Sequence, residues 1–274
     1  MEYLRGSGAN ERQGKMIKSV QPVGSIPAPN LPIPIKTNLF FDYHGQRVSS
    51  WSYFARNVDD GYRNACVSSI AAGGGNAVIA LMSNTDRNAP VSFFKDCWGG
   101  TADMVQLTIL EETAKMIHWA GGSFWPVFFC DEAENGAIRN QPMAVHERAF
   151  SLLIAHLRPY VSGFCIGLES NEYFDRNRHN EFVRLIKKYA PDRYVLSHLQ
   201  AIPGGGMPDI DAVFWEARWN TTVSITPSDL VSQAQKAKRD MGKIILPCEY
   251  DLRPNARQSQ ALLNAGFIGV GGPV

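Results

Sequence analysis

From Asn38 onward, runs in which large apolar residues recur at every second position alternate with stretches in which they recur every three or four. The first spacing marks strands and the second marks helices with one buried face. Strands are predicted at Leu39-Phe40-Phe41-Asp42-Tyr43-His44 and at 77–82, 124–130, 163–168, 194–198, 212–216, 244–249 and 267–270. Helices are predicted over 59–72, 101–120, 145–160, 180–189, 227–241 and 258–265. Their ends carry suitable residues: Thr101 and Pro227-Ser228-Asp229 at starts, Gly121-Gly122 and Gly242 at stops. Between the fifth and sixth strands no helical pattern is found; Gly204-Gly205-Gly206 and Pro208 stand in its place.

Strands that alternate with helices pair in parallel through right-handed crossovers. Eight of them in one chain give the count of an α/β fold of the (β/α)8 TIM-barrel type. An open doubly wound sheet is the alternative topology. No phosphate-type glycine fingerprint follows the first strand, which argues against nucleotide use. Residues 1–37 have no periodicity. They hold Gly6, Gly8 and Gly14, then Pro22, Pro27, Pro29, Pro32 and Pro34. This composition predicts an irregular N-terminal arm, stiff and extended in its second half. The expected division is an arm over 1–37 and a barrel over 38–274. The arm is either a strap along the barrel or a tether to an assembly partner.

The fourth strand organises the rest. In Gly163-Phe164-Cys165-Ile166-Gly167-Leu168, large side chains alternate with small ones. The large face suits packing on helices and the small face suits a crowded barrel interior. Glu169, Asn171, Glu172 and Tyr173 follow directly. In such barrels chemistry sits where strands end and loops begin. The other strand ends offer Asp42 and His44, Asp131, His198, Trp215 and Glu216, and Glu249 and Tyr250. This rim is rich in acids and aromatics. Two glutamates on opposite walls are what glycosidic bond cleavage requires: one protonates the leaving oxygen and the other attacks the anomeric carbon or activates water. Aromatic rings would face the C–H side of a sugar, and the remaining acids, amides and His198 its hydroxyls.

Asn171-Glu172-Tyr173 after the fourth strand, with Glu249 ending the seventh, resembles the large clan of retaining glycoside hydrolases built on (β/α)8 barrels, and most of all its β-galactosidase branches. The resemblance implies Glu172 as acid/base, Asn171 as a ligand of the sugar 2-hydroxyl and Glu249 as nucleophile. It covers the barrel by architecture and only a few residues by motif. The clan's tryptophan at the eighth strand has no counterpart in Phe267-Ile268-Gly269-Val270. A second carboxylate competes for the acid/base position. The stretch from Gly163 to Glu169 equals that from Lys243 to Glu249, which favours Glu169; the motif favours Glu172, and the reading leans to Glu172.

Composition adds exclusions. The 274 residues carry a net charge of +1 with scattered lysine and arginine, so no nucleic-acid footprint is expected. No apolar run reaches membrane-spanning length, and Met1–Gly6 lacks a signal core. Synthesis in the cytoplasm is expected, with no visible export signal. The five cysteines are widely spaced and read as reduced; those at 130, 165 and 248 sit in strand-like runs as small core residues. No metal or organic cofactor is expected, since histidines at ligand spacing are lacking. Two competing functions stay open. One is a non-catalytic glycan-binding or scaffolding barrel, tethered by its arm to a virion or cell-surface particle. The other is a lyase or isomerase working through an enolate, which would want a rim lysine or metal ligands.

Overall fold

The computed structural model describes residues 51–55, 64, 67–68, 70, 77–81, 104–129, 139–216, 225–248 and 257–267. Seven strands form one sheet: β1 (Trp51–Ala55), β2 (Ala77–Leu81), β3 (Ser123–Phe129), β4 (Gly163–Gly167), β5 (Tyr194–Leu199), β6 (Ala212–Trp215) and β7 (Ile244–Pro247). They are hydrogen-bonded in chain order, and every pairing is parallel. A doubly wound sheet reverses direction at a switch point; a strictly sequential parallel order is that of the (β/α)8 barrel. Helices α1 (Met104–Trp119), α2 (Met143–Leu157), α3 (Arg176–Tyr189), α4 (Pro227–Met241) and α5 (Arg257–Asn264) lie between or after these strands.

Strand β1 departs from the sequence expectation. Residues 51–55, to which the pattern assigns no element, form the strand that pairs with β2. The expected first strand at 39–44, the arm at 1–37 and the eighth strand beyond Phe267 lie outside the described residues. Helix α3 starts four residues earlier than its apolar period indicates. Asp175 caps it by accepting the Arg178 backbone N–H at 2.8 Å, and the polar turn Arg176–His179 carries no periodic signal. Helix α4 matches its cues closely. Thr226 accepts the Asp229 N–H, Pro227 is the first helical residue, and Gly242 closes the helix in the left-handed region at φ 62°.

Two apolar clusters sit on the two sides of the sheet. The helix-facing one joins Phe128, Phe150, Phe164, Ile166 and Phe182, with Phe128 and Phe150 stacked at 3.7 Å between centroids. The inner one joins Trp125, Cys165, Leu196, Ala212, Phe214 and Leu246. Large-out and small-in on β4 therefore holds, and Gly163 shows why. A Cβ there would lie 2.6 Å from the Trp125 ring and 2.6 Å from the Tyr194 carbonyl oxygen. Leu168 is the exception. The alternation puts it with Phe164 and Ile166, yet it belongs to the inner cluster. The strand ends at Gly167, and the turn that follows breaks the period of two.

Residues 200–211 contain no helix, as the glycines and Pro208 indicate. Gly205 and Gly206 have φ of 84° and 106°, which side chains with a Cβ rarely adopt. This loop docks on the start of α3: the Arg176 N–H donates to the Gly204 carbonyl at 2.8 Å, and Asn180 accepts the Asp209 N–H at 2.8 Å.

Candidate active site

The register of the sheet fixes which residues share a row. Cys165, Leu196, Ala212 and Ile244 pair in sequence across β4 to β7, and all four line the interior. Two residues on, the row is Gly167, His198, Phe214 and Leu246. Two positions further along each chain, past the last paired residues, come Glu169, Gln200, Glu216 and Cys248; for Glu169 the count crosses the turn that ends β4. Glu249 follows Cys248, whose N–H is still bonded to the Trp215 carbonyl at 3.0 Å.

Glu169 is half-buried and lies in the left-handed region, φ 43° and ψ 34°, the sole non-glycine with positive φ among the described residues. Its N–H donates to Nδ1 of His198 at 2.9 Å. That nitrogen must then be unprotonated, and the ring proton sits on Nε2. Burial lowers the His198 pKa to about 3, so the ring is neutral. Its Nε2 stands 3.7 Å from a carboxylate oxygen of Glu216, which is 0% exposed. The same oxygen takes a long hydrogen bond from Gln200 Nε2 at 3.5 Å.

Ser170 ties the turn down. Its hydroxyl lies 2.6 Å from Ser197 Oγ, 2.9 Å from His179 Nε2 and 3.1 Å from the His198 carbonyl. His179 Nδ1 faces the Asp175 carbonyl at 2.8 Å and must donate to it. Burial holds this imidazole below its ordinary pKa. The neutral ring therefore accepts the Ser170 proton at Nε2, and Ser197 donates to Ser170. Gly167 makes room for the fold-back, since a Cβ there would sit 3.2 Å from that of Ser170.

The other predicted site residues fall in distinct places. Asn171 is half-buried and its Oδ1 accepts the Gln200 N–H at 2.9 Å, joining the loops after β4 and β5. Glu172 closes a 3-10 turn, Ser170–Glu172, and is exposed. Tyr173 is half-buried under the Arg139 guanidinium, 3.6 Å from the ring centroid. Trp215 belongs to the helix-facing cluster at 4% exposure, so it packs there and offers no open ring face. Asp42, His44, Asp131, Glu249 and Tyr250 lie outside the described residues. Cys165 and Cys248 are buried, and burial pushes the Cys165 thiol up to about 12. Among the described residues no three His, Cys, Asp or Glu side chains are grouped to hold a metal ion, and no helix is long and apolar enough to cross a membrane. Sequence reasoning did not single out Ser170, His179 or Gln200. Their roles depend on which loops meet, and no local pattern encodes that.

No protein-family model and no curated protein matches the sequence. Solved structures match the fold. The exo-beta-1,4-mannosidase Op5Man5 from Opitutaceae bacterium strain TAV5 superposes with a TM-score of 0.60 at 15% identity, over 86% of this chain and 53% of the mannosidase. This chain thus spans about half the length of that enzyme. The endo-1,4-beta-mannanase from Rhizomucor miehei gives a TM-score of 0.59 at 12% identity, covering 82% of this chain and 85% of the mannanase. The Pseudomonas stutzeri endoglucanase Cel5A gives 0.57 at 11% identity, covering 83% and 84%. The chain therefore has the α/β barrel fold shared by these glycoside hydrolases.

Proposed function

We propose that the protein is a glycoside hydrolase that cleaves a glycosidic bond by a retaining, two-carboxylate mechanism. One observation carries this reading. Glu169 follows the end of β4 by two residues, and Cys248, which precedes Glu249, directly follows β7. Strands three apart face each other across a barrel, as an acid/base and a nucleophile must. Glu169, not Glu172, is the acid/base in this reading, because Glu172 lies a full turn beyond the strand end and is exposed. Glu249 attacks the anomeric carbon while the protonated Glu169 gives its proton to the leaving oxygen. Glu169, now ionised, then takes a proton from the water that hydrolyses the glycosyl-enzyme. Asn171, Tyr173, Glu216 and His198 shape the wall and floor around these two.

The test is a panel of aryl glycosides with wild type, Glu169→Gln, Glu172→Gln and Glu249→Gln. The Glu249 variant should lose several orders of magnitude in turnover with its fold intact. The Glu169 variant should still form the glycosyl-enzyme from an activated aryl glycoside, and azide should restore its turnover. The Glu172 variant should stay near wild type. Azide rescue in the Glu172 variant alone would move the acid/base role there. Wild type that turns over no glycoside, yet binds glycans as well as Glu249→Gln does, would make the non-catalytic barrel the better account. A crystal structure supplies a second check: the Glu169 and Glu249 carboxyls should lie about 5–5.5 Å apart, and a separation beyond ~10 Å would exclude the pair.

A further inference from the structure

A glutamate with positive φ needs something to hold it there, because its Cβ crowds the following carbonyl in the left-handed region. Glu169 is such a residue, and it sits where β4 stops and Ser170–Glu172 begins to turn. Three groups of β5 surround this point: the Ser197 hydroxyl, the His198 carbonyl and His198 Nδ1. The first donates to Ser170, whose own proton goes to His179, and the second lies 3.1 Å from the same hydroxyl. Of the three, Nδ1 reaches Glu169 itself, through its backbone amide at 2.9 Å, while the Glu169 carbonyl accepts the Glu172 N–H at 2.9 Å. His198 is 1% exposed, on the row just below the mouth, with the fully buried Glu216 carboxylate on the far side of its ring. A carboxylate there favours the tautomer with the proton on Nε2, which leaves Nδ1 as an acceptor. The order is carboxylate, imidazole, then the amide of the residue that carries the rim carboxyl.

We propose that His198 is a positioning residue: its Nδ1 lone pair fixes the Glu169 amide and so holds the left-handed turn that presents the Glu169 carboxyl at the barrel mouth. The Glu216 carboxyl stands one step further back, 3.7 Å from His198 Nε2. The kinetic part of this inference rests on Glu169 being the acid/base; the structural part does not.

Three measurements on the full chain test it. First, the 15N spectrum of wild type, with His198 assigned by its loss in His198→Asn, should show Nε2 protonated and Nδ1 bare. A proton on Nδ1 would overturn the proposal, since that nitrogen could not accept. Second, a crystal structure of His198→Phe, which keeps volume and removes the acceptor, should show Glu169 out of the positive-φ region. An unchanged Glu169 turn in that variant would also overturn it. His198→Asn, whose Oδ1 can stand where Nδ1 stood, should keep the turn; the spectrum of wild type decides alone if the phenylalanine variant fails to fold. Third, His198→Phe should lose about a hundredfold or more in kcat on glycosides with poor leaving groups. It should lose far less on activated aryl glycosides, with KM little changed and His198→Asn largely restored. A loss equal across leaving groups would mark a merely structural histidine. If wild type proves to have no glycosidase activity, the functional reading falls, while the spectrum and the variant structure still decide the role of His198.

Discussion

His146 offers a direct test of the helix-facing core. It lies on α2, fully buried, with its ring 5.2 Å from that of Phe182 and 5.4 Å from that of Phe129. Burial among these rings, helped by the Arg178 charge, lowers its pKa from 6.5 to about 4; bonds to the Arg139 and Gln141 carbonyls oppose this only in part. The unfolded chain therefore binds a proton that the folded chain refuses between pH ~6.5 and ~4. Stability is full above that window, falls as pH drops through it, and is level below it. The whole shift corresponds to about 3 kcal/mol, of which about 2 kcal/mol is lost by pH 5. For a chain of this size 2 kcal/mol is a fall in Tm of about 4–8 °C. His198 and His179 also titrate low, so wild type alone would not isolate the effect. The comparison is between wild type and His146→Leu, which keeps an apolar side chain of similar size. Thermal melts from pH 8 to pH 4.5 should show the wild-type Tm falling relative to that of His146→Leu, by several degrees at pH 5. Parallel curves would refute the reasoning, because they would mean that His146 accepts its proton in the folded protein as readily as in water.

The interior of the barrel gives a second prediction. Gly163→Ala would drive a methyl group into the Trp125 ring and the Tyr194 backbone, and backbone cannot swing aside. Urea unfolding should show a loss of about 1–3 kcal/mol, and an unchanged midpoint would show that the inner layer is looser than described. Gly242→Ala should lose about 1 kcal/mol for a different reason. Nothing lies within 4 Å of the added Cβ, so only the left-handed φ of 62° opposes it, and Gly242→Asn should recover part of the loss. Limited proteolysis should clip within residues 1–37 and leave a folded fragment starting near Thr37; collapse of the remainder after clipping would show that the arm is structural.

Most of the barrel was legible because its signals are local. The alternation in β4 separates Phe164 and Ile166 from Cys165, and the two clusters keep that separation. Gly204-Gly205-Gly206 marks a missing helix, and positive φ at Gly205 and Gly206 explains why. What escaped was either aperiodic or nonlocal. The first turn of α3 is polar and is set by the Asp175 cap. Trp215 stood among the candidate sugar-binding aromatics only by its place at a strand end. Parity along β6 decides instead, and it sends Trp215 to the helices and Glu216 to the interior. Ser170 and His179 are nine residues apart and meet because α3 turns back over β4 and β5, a fold-back that no periodic pattern signals.

The proposed choice of Glu169 over Glu172 sets the position of the strand end against the Asn-Glu motif. An Asn-Glu pair serves as amide and acid only if both residues sit at the strand end. Here the strand stops at Gly167, and by Asn171 the chain has already entered the 3-10 turn. Asn171 spends its carbonyl oxygen on the Gln200 N–H, which pins one loop to the next. Glu172 is carried out to solvent by the same turn. Glu169 occupies the position that the length of β4 assigns to the mouth, level with Glu216 and Cys248. The distance from Gly163 to Glu169 equals that from Lys243 to Glu249. Strand length is a physical ruler, at roughly 3.3 Å per residue. The register puts Cys165 level with Ile244, so the counts from Gly163 and from Lys243 start one row apart, and Glu249 comes one residue after the position that matches Glu169.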